Sequence, residues 1–313
     1  MLSAHAFAER CAEHPLVLDG GLATELARRG HDLSDPLWSA RVLLDDPDAI
    51  ERVHYDYYAA GAEIAITASY QVTYEGMAAR GFDAGTTTAV LRHAVALADS
   101  ARSRIQRERG AGAAGLLVAA SVGPYGAMLH DGSEYHGDYE RTVDALADFH
   151  RHRLAVLIGT GPDLLACETI PSLDEARALI RVLRETPAAT AWITFTARDG
   201  THTAHGEPIA DCAAELDAEP QILAVGVNCV APGLVTQLAG EMRRGTRKPI
   251  VVYPNAGDVW DSARRAWIDG PSQPRIGDLA AEWIAAGASA IGGCCRTTPA
   301  DIGAVAAAVG SAA

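Results

Sequence analysis

Residues 291–300 read IGGCCRTTPA and set two cysteines side by side in a chain that has six. Neighbouring cysteines are poorly placed to bridge each other, because the intervening peptide holds their side chains in the wrong geometry for a disulfide. The pair is therefore a reactive dithiol, a metal site or a coincidence. A third cysteine, Cys229, closes the apolar run AVGVNCV at 224–230. Three thiolates with no evident fourth protein ligand describe a zinc site with one open position, since structural zinc is ordinarily closed by four ligands and catalytic zinc keeps a vacancy. A three-sulfur site is soft and suits another sulfur as its last ligand. Gly292 and Gly293 then read as room for the backbone to approach the metal. The competing reading is that Cys229 is a core residue, as a lone buried cysteine ordinarily is, and that the pair is incidental.

These thiols need elements to carry them, and the chain supplies a regular alternation. Short apolar runs recur at 16–20, 64–70, 116–123, 164–170, 191–197, 224–230, 250–256 and 290–295. Most are apolar on both faces, which suits parallel strands covered by helices. The segments between them carry helix ends. Asp46 before Pro47 and Gly61 after the apolar pattern bracket one helix, and Ser172 with Glu175 forms a capping box for another. Thr298 and Pro299 start the last. Glycines before the strands in AAGAEIAITA, GTGPDLLACE and AAGASAIGGC repeat one helix-to-strand joint. Eight such units predict a single (β/α)8 barrel spanning residues 1–313. An open doubly wound sheet is disfavoured because no G-x-G-x-x-G follows the first strand. In the barrel, Cys229, Cys294 and Cys295 share the face formed by the C-terminal strand ends, where such folds build active sites. Cys167 ends the fourth strand and is expected to point into the barrel. The long irregular stretches at about 125–138, 198–208 and 255–277 follow strands on that face.

Bulk properties remove other classes. Apolar residues form 49% of the composition, enough for a full core, and the formal net charge is −14. Such acidity argues against nucleic acid or an anionic membrane as a partner. Glu9, Arg10 and Glu13 interrupt any signal-peptide core in MLSAHAFAERCAEHP, and no apolar run reaches the roughly 18 residues of a membrane span. Six scattered cysteines do not suit a secreted disulfide scaffold. The expected setting is reduced and cytoplasmic.

The chain resembles the zinc-dependent homocysteine S-methyltransferases, and within them the subgroup using S-methylmethionine or S-adenosylmethionine. The likeness runs through LDGGLATELARRG, LWSA, ITASYQ, SVGPYGA, DGSEYHGDY, LLACET, GVNC, VVYPN and IGGCCRTTPADI, nearly the whole chain. It implies a (β/α)8 barrel, one zinc held by Cys229, Cys294 and Cys295, and homocysteine bound through its sulfur. It further implies that Asp19 and Glu168 hold the homocysteine amino group, with Gly20 and Thr67 beside them. Without the resemblance, Asp19 reads equally well as fixing the turn at DGG, and Glu168 as a hydrogen-bond partner of a metal ligand. Ala256 departs from the family, whose members often carry a small polar residue there; Asn255 is intact.

The chemistry fits the same assignment. A free thiol has a pKa near 8.5, so little of it is thiolate at neutral pH; metal coordination removes the proton and fixes the sulfur. The donor is a sulfonium, already activated, so no catalytic residue is expected beyond the substrate's own thiolate. Tyr70, Tyr125 and Asn255 are candidates for donor contacts. Tyr70, Tyr125, Tyr135 and Trp38 could face a sulfonium by cation–π contact or serve as packing aromatics. His130, His136, His202 and His205 lie in loops of the same face but match no ligand spacing. S-Methylmethionine is expected to outperform S-adenosylmethionine, since no nucleotide motif is present, and betaine to be inert. Selenohomocysteine or selenocysteine as acceptor remains an alternative, as does a non-enzymatic zinc or thiol redox protein. A zinc hydrolase is disfavoured because such sites favour histidine and carboxylate ligands.

Overall fold

The computed structural model describes residues 1–32, 39–113, 115–257, 259–261, 266–268 and 274–312. Trp38 and part of the stretch 255–277 lie outside the described residues. Eight parallel strands form one sheet: β1 (Leu16–Val17), β2 (Ile64–Ile66), β3 (Leu117–Val122), β4 (Leu164–Ile170), β5 (Ala191–Phe195), β6 (Ile222–Asn228), β7 (Ile250–Tyr253) and the last strand, here β10 (Ala288–Ile291). Two short strands intervene, β8 (Val259–Asp261) and β9 (Ala266–Ile268), paired antiparallel to each other. The sheet order is β1-β10-β7-β6-β5-β4-β3-β2. A parallel bridge between Leu18 and Ile64 joins its two ends and closes the barrel. The eight expected strands are all present, but most end two to four residues earlier than the apolar runs. Asp19, Thr67, Cys229, Asn255 and Cys294 thus stand just beyond their strands, in backbone free to turn toward the axis.

Side chains alternate between two layers. Leu16, Leu18, Ile64, Ala119, Ala166, Trp192, Val251, Tyr253 and Ala290 pack together inside the barrel. Val118, Ala120, Val122, Leu165, Ile193, Val225 and Val252 pack outward with the helices. Cys167 belongs to the outward layer, which corrects the expectation that it points inward. The two-residue period of β4 sends Ala166 and Glu168 to the axis and Cys167 between them to the helices. The N-terminal helix Ala4–Glu13 closes the bottom: Phe7 joins the inner layer, its ring 6.5 Å from that of Trp192.

The helix ends follow the sequence signals, with one difference. Asp46 caps Pro47–Ala60, and Gly61 ends it at φ 112°. Ser172 accepts from the Glu175 N–H at 3.3 Å, but the Glu175 carboxylate does not return to Ser172. It accepts instead from the Tyr125 N–H at 2.6 Å and pairs with His150 at 3.0 Å. The capping box is half formed because its acid serves the neighbouring loop and helix. No helix among the described residues is long and apolar enough to cross a membrane.

His54, on the helix Pro47–Ala60, is fully buried and neither ring nitrogen has a hydrogen-bond partner. Burial lowers its pKa to about 4. The folded chain therefore holds this ring neutral, while the unfolded chain protonates it near pH 6.5. Stability linked to His54 is present above pH 6.5 and is lost as pH falls toward 4. Between pH 7 and pH 4.5 the protein should lose roughly 2 kcal/mol that a His54→Leu variant keeps. Urea midpoints of both proteins at the two pH values measure this; parallel losses would assign the acid sensitivity elsewhere.

Candidate active site

Three sulfurs meet at the top of the barrel. Cys229 Sγ lies 3.8 Å from Cys295 Sγ, and Cys294 Sγ lies 4.0 Å from Cys295 Sγ. All three ligand atoms fall within 4.8 Å of one another, the one such His, Cys, Asp or Glu group among the described residues. None is in a disulfide. A tetrahedral zinc with Zn–S bonds of about 2.3 Å needs sulfurs about 3.8 Å apart, and the Cys229–Cys295 and Cys294–Cys295 separations suit that metal. Contact among the thiols also separates their acidities. Donation from Cys294 and Cys295 pulls the Cys229 thiol well below its usual range, and the same contact with Cys229 pushes the other two up.

The backbone turns sharply to bring them together. Cys229 has φ 54°, Thr169, after Glu168, has φ 59°, and Arg296, after Cys295, has φ 68°. A non-glycine residue in this left-handed region costs roughly 1 kcal/mol or more, so the three turns are held by contacts around them. The Cys294 N–H donates to Pro254 O at 2.7 Å, the Cys229 N–H to Tyr253 O at 3.2 Å and the Ala256 N–H to Cys295 O at 3.1 Å. Arg296 N–H donates to Thr24 Oγ1 at 2.7 Å. Gly292 and Gly293 serve a different close approach from the one expected. A Cβ on Gly292 would sit 2.6 Å from that of Leu18, and one on Gly293 would strike the Thr297 side chain. Gly292 lets the end of β10 lie against Leu18, Gly293 lets Thr297 fold back over it, and the thiols turn inward beyond them.

Asn228 ties this cluster to Glu168. Its Oδ1 accepts from the Thr169 N–H at 2.7 Å and the Thr194 hydroxyl at 2.8 Å. Its Nδ2 donates to Thr169 Oγ1 at 2.7 Å and reaches Cys294 Sγ at 4.0 Å. Glu168 is buried and accepts from the Ser121 hydroxyl. Burial pushes its pKa up to about 7. Asp19 is buried as well, with Oδ2 accepting from the Ile66 N–H at 2.8 Å, and burial raises its pKa well above the carboxylate range. Its bond goes to the end of β2 rather than to its own DGG turn. Each acid lies close enough to raise the other or to feel the thiols.

The other candidates divide. The Thr67 hydroxyl donates to Ser69 at 2.7 Å and accepts from the Ser121 N–H at 3.0 Å, so it orders Ser121 beneath Glu168. Gly20 packs against Tyr57 and Thr297, each 2.8 Å from where a Cβ would stand. Tyr70 is half-buried, covers Gly123 and lies within reach of the Cys229 charge. Asn255 is 6% exposed; its side chain supports the Cys229 thiolate, while its Oδ1 has no partner. Tyr125 stands apart in packing with Tyr139 and Phe149, and Arg141 donates to its hydroxyl at 3.0 Å. His136, His202 and His205 pair with acids of their own loops, namely Asp138, Asp199 and Glu207.

The comparisons agree with this geometry. The sequence model of a family described as homocysteine S-methyltransferase matches residues 16–309. The chain belongs to this family. It is 47% identical over 300 residues to homocysteine S-methyltransferase YbgG of Bacillus subtilis, covering 93% of each chain. It is 49% identical over 291 residues to the homocysteine S-methyltransferase of Escherichia coli, covering 93% of this chain and 94% of that one. The crystal structure of the homocysteine methyltransferase MmuM from Escherichia coli in its metallated form superposes with a TM-score of 0.86 at 47% identity, over 94% of this chain and 96% of the other.

Sequence reasoning missed Asn228, Ser121 and Glu134. Asn228 carries a readable signal, since it immediately precedes Cys229 in GVNC; Ser121, in β3, and Glu134, in the segment after it, sit in quoted motifs as ordinary polar residues. Asn228→Ala should lower stability by about 2–3 kcal/mol, because it strips a buried N–H and two hydroxyls of their partner. A denaturant titration reads this, and an unchanged midpoint would show that the turn at Thr169 stands without it.

Proposed function

We propose that this chain transfers a methyl group from S-methylmethionine to homocysteine, whose sulfur completes a zinc site formed by Cys229, Cys294 and Cys295. Homocysteine methylation to methionine is the activity of the family to which the chain belongs. The observation that carries the zinc reading is the spacing of three unbridged sulfurs, and a relative 47% identical is known in a metallated form. When bound, the metal acts as a Lewis acid that makes the homocysteine sulfur a thiolate at neutral pH.

The residues of the chain supply binding and alignment. Asp19 and Glu168 receive the homocysteine ammonium; support comes from two buried carboxyls whose charge is disfavoured until a cation arrives. Ser121 and Thr67 hold Glu168, and Asn228 holds the turn after it. The homocysteine thiol proton leaves to solvent. A new S–CH3 bond then forms as the donor S–CH3 bond breaks, with the bonding pair staying on the donor sulfur. Homocysteine becomes methionine, and S-methylmethionine becomes a second methionine. No general acid is needed, because the leaving group departs as a neutral thioether.

The purified protein should carry about one zinc per chain, and Cys229→Ala, Cys294→Ala and Cys295→Ala should each lose metal and activity while keeping the helical content of the barrel. Zinc-edge X-ray absorption should show three sulfurs and one lighter ligand, becoming four sulfurs on adding homocysteine. A shell that does not change would rule out direct sulfur coordination.

Donor choice is set by the pocket, since both sulfonium donors leave a neutral thioether. Measured kcat/KM should be higher for S-methylmethionine than for S-adenosylmethionine, with betaine inert. A tenfold advantage for S-adenosylmethionine, about 1.4 kcal/mol of transition-state preference, would reveal an adenosine pocket and overturn the donor assignment.

A further inference from the structure

The turn Ser133–Tyr135 follows β3 and lies directly over the thiols. The Tyr135 hydroxyl is 3.3 Å from Cys229 Sγ. The turn is fixed from several sides. Ser133 N–H donates to Asp131 Oδ1 at 3.0 Å, and Gly137 N–H to Ser133 O at 2.8 Å. Gly126 lies so close beneath that any Cβ there would strike the Glu134 amide nitrogen. Glu134 is therefore carried on a rigid support one residue from a side chain touching the metal-site sulfur. Its Oε2 is buried and has no hydrogen-bond partner. The carboxylate acts through space on Tyr70, Tyr135 and Cys229. A second orphan, Asn255 Oδ1 on a residue 6% exposed, belongs to a side chain that also serves Cys229.

A buried carboxylate oxygen without a partner is costly unless a ligand supplies one. The ligand it favours is a cation, and Tyr70 and Tyr135, both within reach of its charge, favour one with apolar substituents. We infer that Glu134, with Tyr70 and Tyr135, is the subsite that receives the sulfonium centre of the methyl donor. This rests on the methyl-transfer reading above and names a residue for it. The reacting methyl must come within a few ångströms of the homocysteine sulfur, so the sulfonium, and not the donor's distal ammonium, belongs beside the turn that touches Cys229.

The assignment has an unusual kinetic consequence. Thiolate and sulfonium neutralise each other as the methyl moves, so positive charge at the donor sulfur fades in the transition state. A fixed carboxylate beside it stabilises the bound donor more than the transition state. Glu134 should lower the donor KM without raising kcat, and removing its charge should do the reverse.

The test uses the zinc-loaded full chain and steady-state kinetics with S-methylmethionine and homocysteine. Glu134→Gln should raise the donor KM at least tenfold, leave kcat equal or higher, and leave the homocysteine KM and zinc content unchanged. Glu134→Asp keeps the charge and should restore most of the donor affinity. Methionine, which has the ammonium but no sulfonium, should inhibit competitively against the donor with the same inhibition constant in wild type and Glu134→Gln. A donor KM that does not move, or a homocysteine KM that moves in its place, overturns the proposal. So does equal weakening of methionine, which would make the ammonium the partner of Glu134. Wild-type protein inactive with every sulfonium donor would instead refute the methyl-transfer reading itself.

Discussion

Everything at the top of this barrel depends on holding three thiols about 4 Å apart without letting them bond. A disulfide needs its sulfurs near 2 Å; a metal needs them nearly twice as far apart. Cys229 and the Cys294–Cys295 pair come from strands β6 and β10, which are not neighbours, since β7 runs between them. The separation is therefore a property of barrel curvature and of the turns beyond three strands, not of a local motif. Closure through the Leu18–Ile64 bridge, the packing of Gly292 against Leu18, and the hydrogen bonds from the β7 end to both cysteine segments all serve that spacing. Left-handed backbone at Cys229, Thr169 and Arg296 is the local cost of aiming side chains inward from strand ends.

The sequence was most informative where a physical period or a rare residue pattern spoke. Eight apolar runs separated by capped helices are enough to read the barrel, because strand and helix periods are local properties. The cysteine pair after two glycines was readable because that pattern has few other uses. Cys167 shows where such reading stops. Its placement at a strand end suggested the barrel interior, yet which face it takes is set by register, and one residue of slip reverses the answer. Gly293 was read as room for a metal, whereas its neighbour is Thr297, four residues along and folded back on it. Asn228, Ser121 and Glu134 are common polar residues. Asn228 and Ser121 acquire meaning from partners 34 to 59 residues away, as with Asn228 and Thr194 or Thr169, and no spacing rule carries that information.

Charge at the mouth explains why an acidic protein suits this chemistry. Asp19, Glu168 and Glu134 surround the thiols in surroundings that disfavour ionisation, Glu168 and Glu134 each being pushed up to about 7 by burial. Such an arrangement has little reason to persist in a pocket meant for neutral or anionic ligands. It is economical in a pocket for two cations, the ammonium of an amino-acid thiol and a sulfonium, each of which restores the charge of the acid it meets.

The same arithmetic limits how tightly the donor side can be built. A site that surrounds the sulfonium with anions lowers the ground state and leaves the barrier higher, because the charge it binds is the charge the reaction removes. On the proposed reading, rate then comes from the acceptor side, where a metal held by the three cysteines would fix the thiolate, and from alignment of the two sulfurs with the carbon between them. The structure distributes its groups accordingly. On the proposed reading, three sulfurs, two buried acids and the Asn228 network converge on the acceptor position, whereas the turn over it offers one carboxylate and one tyrosine, with Tyr70 added from the segment after β2. As proposed, donor binding by a single charge and polarizable rings would keep the sulfonium reactive, while the rigid strand ends on the opposite side would supply the geometry that the transfer requires.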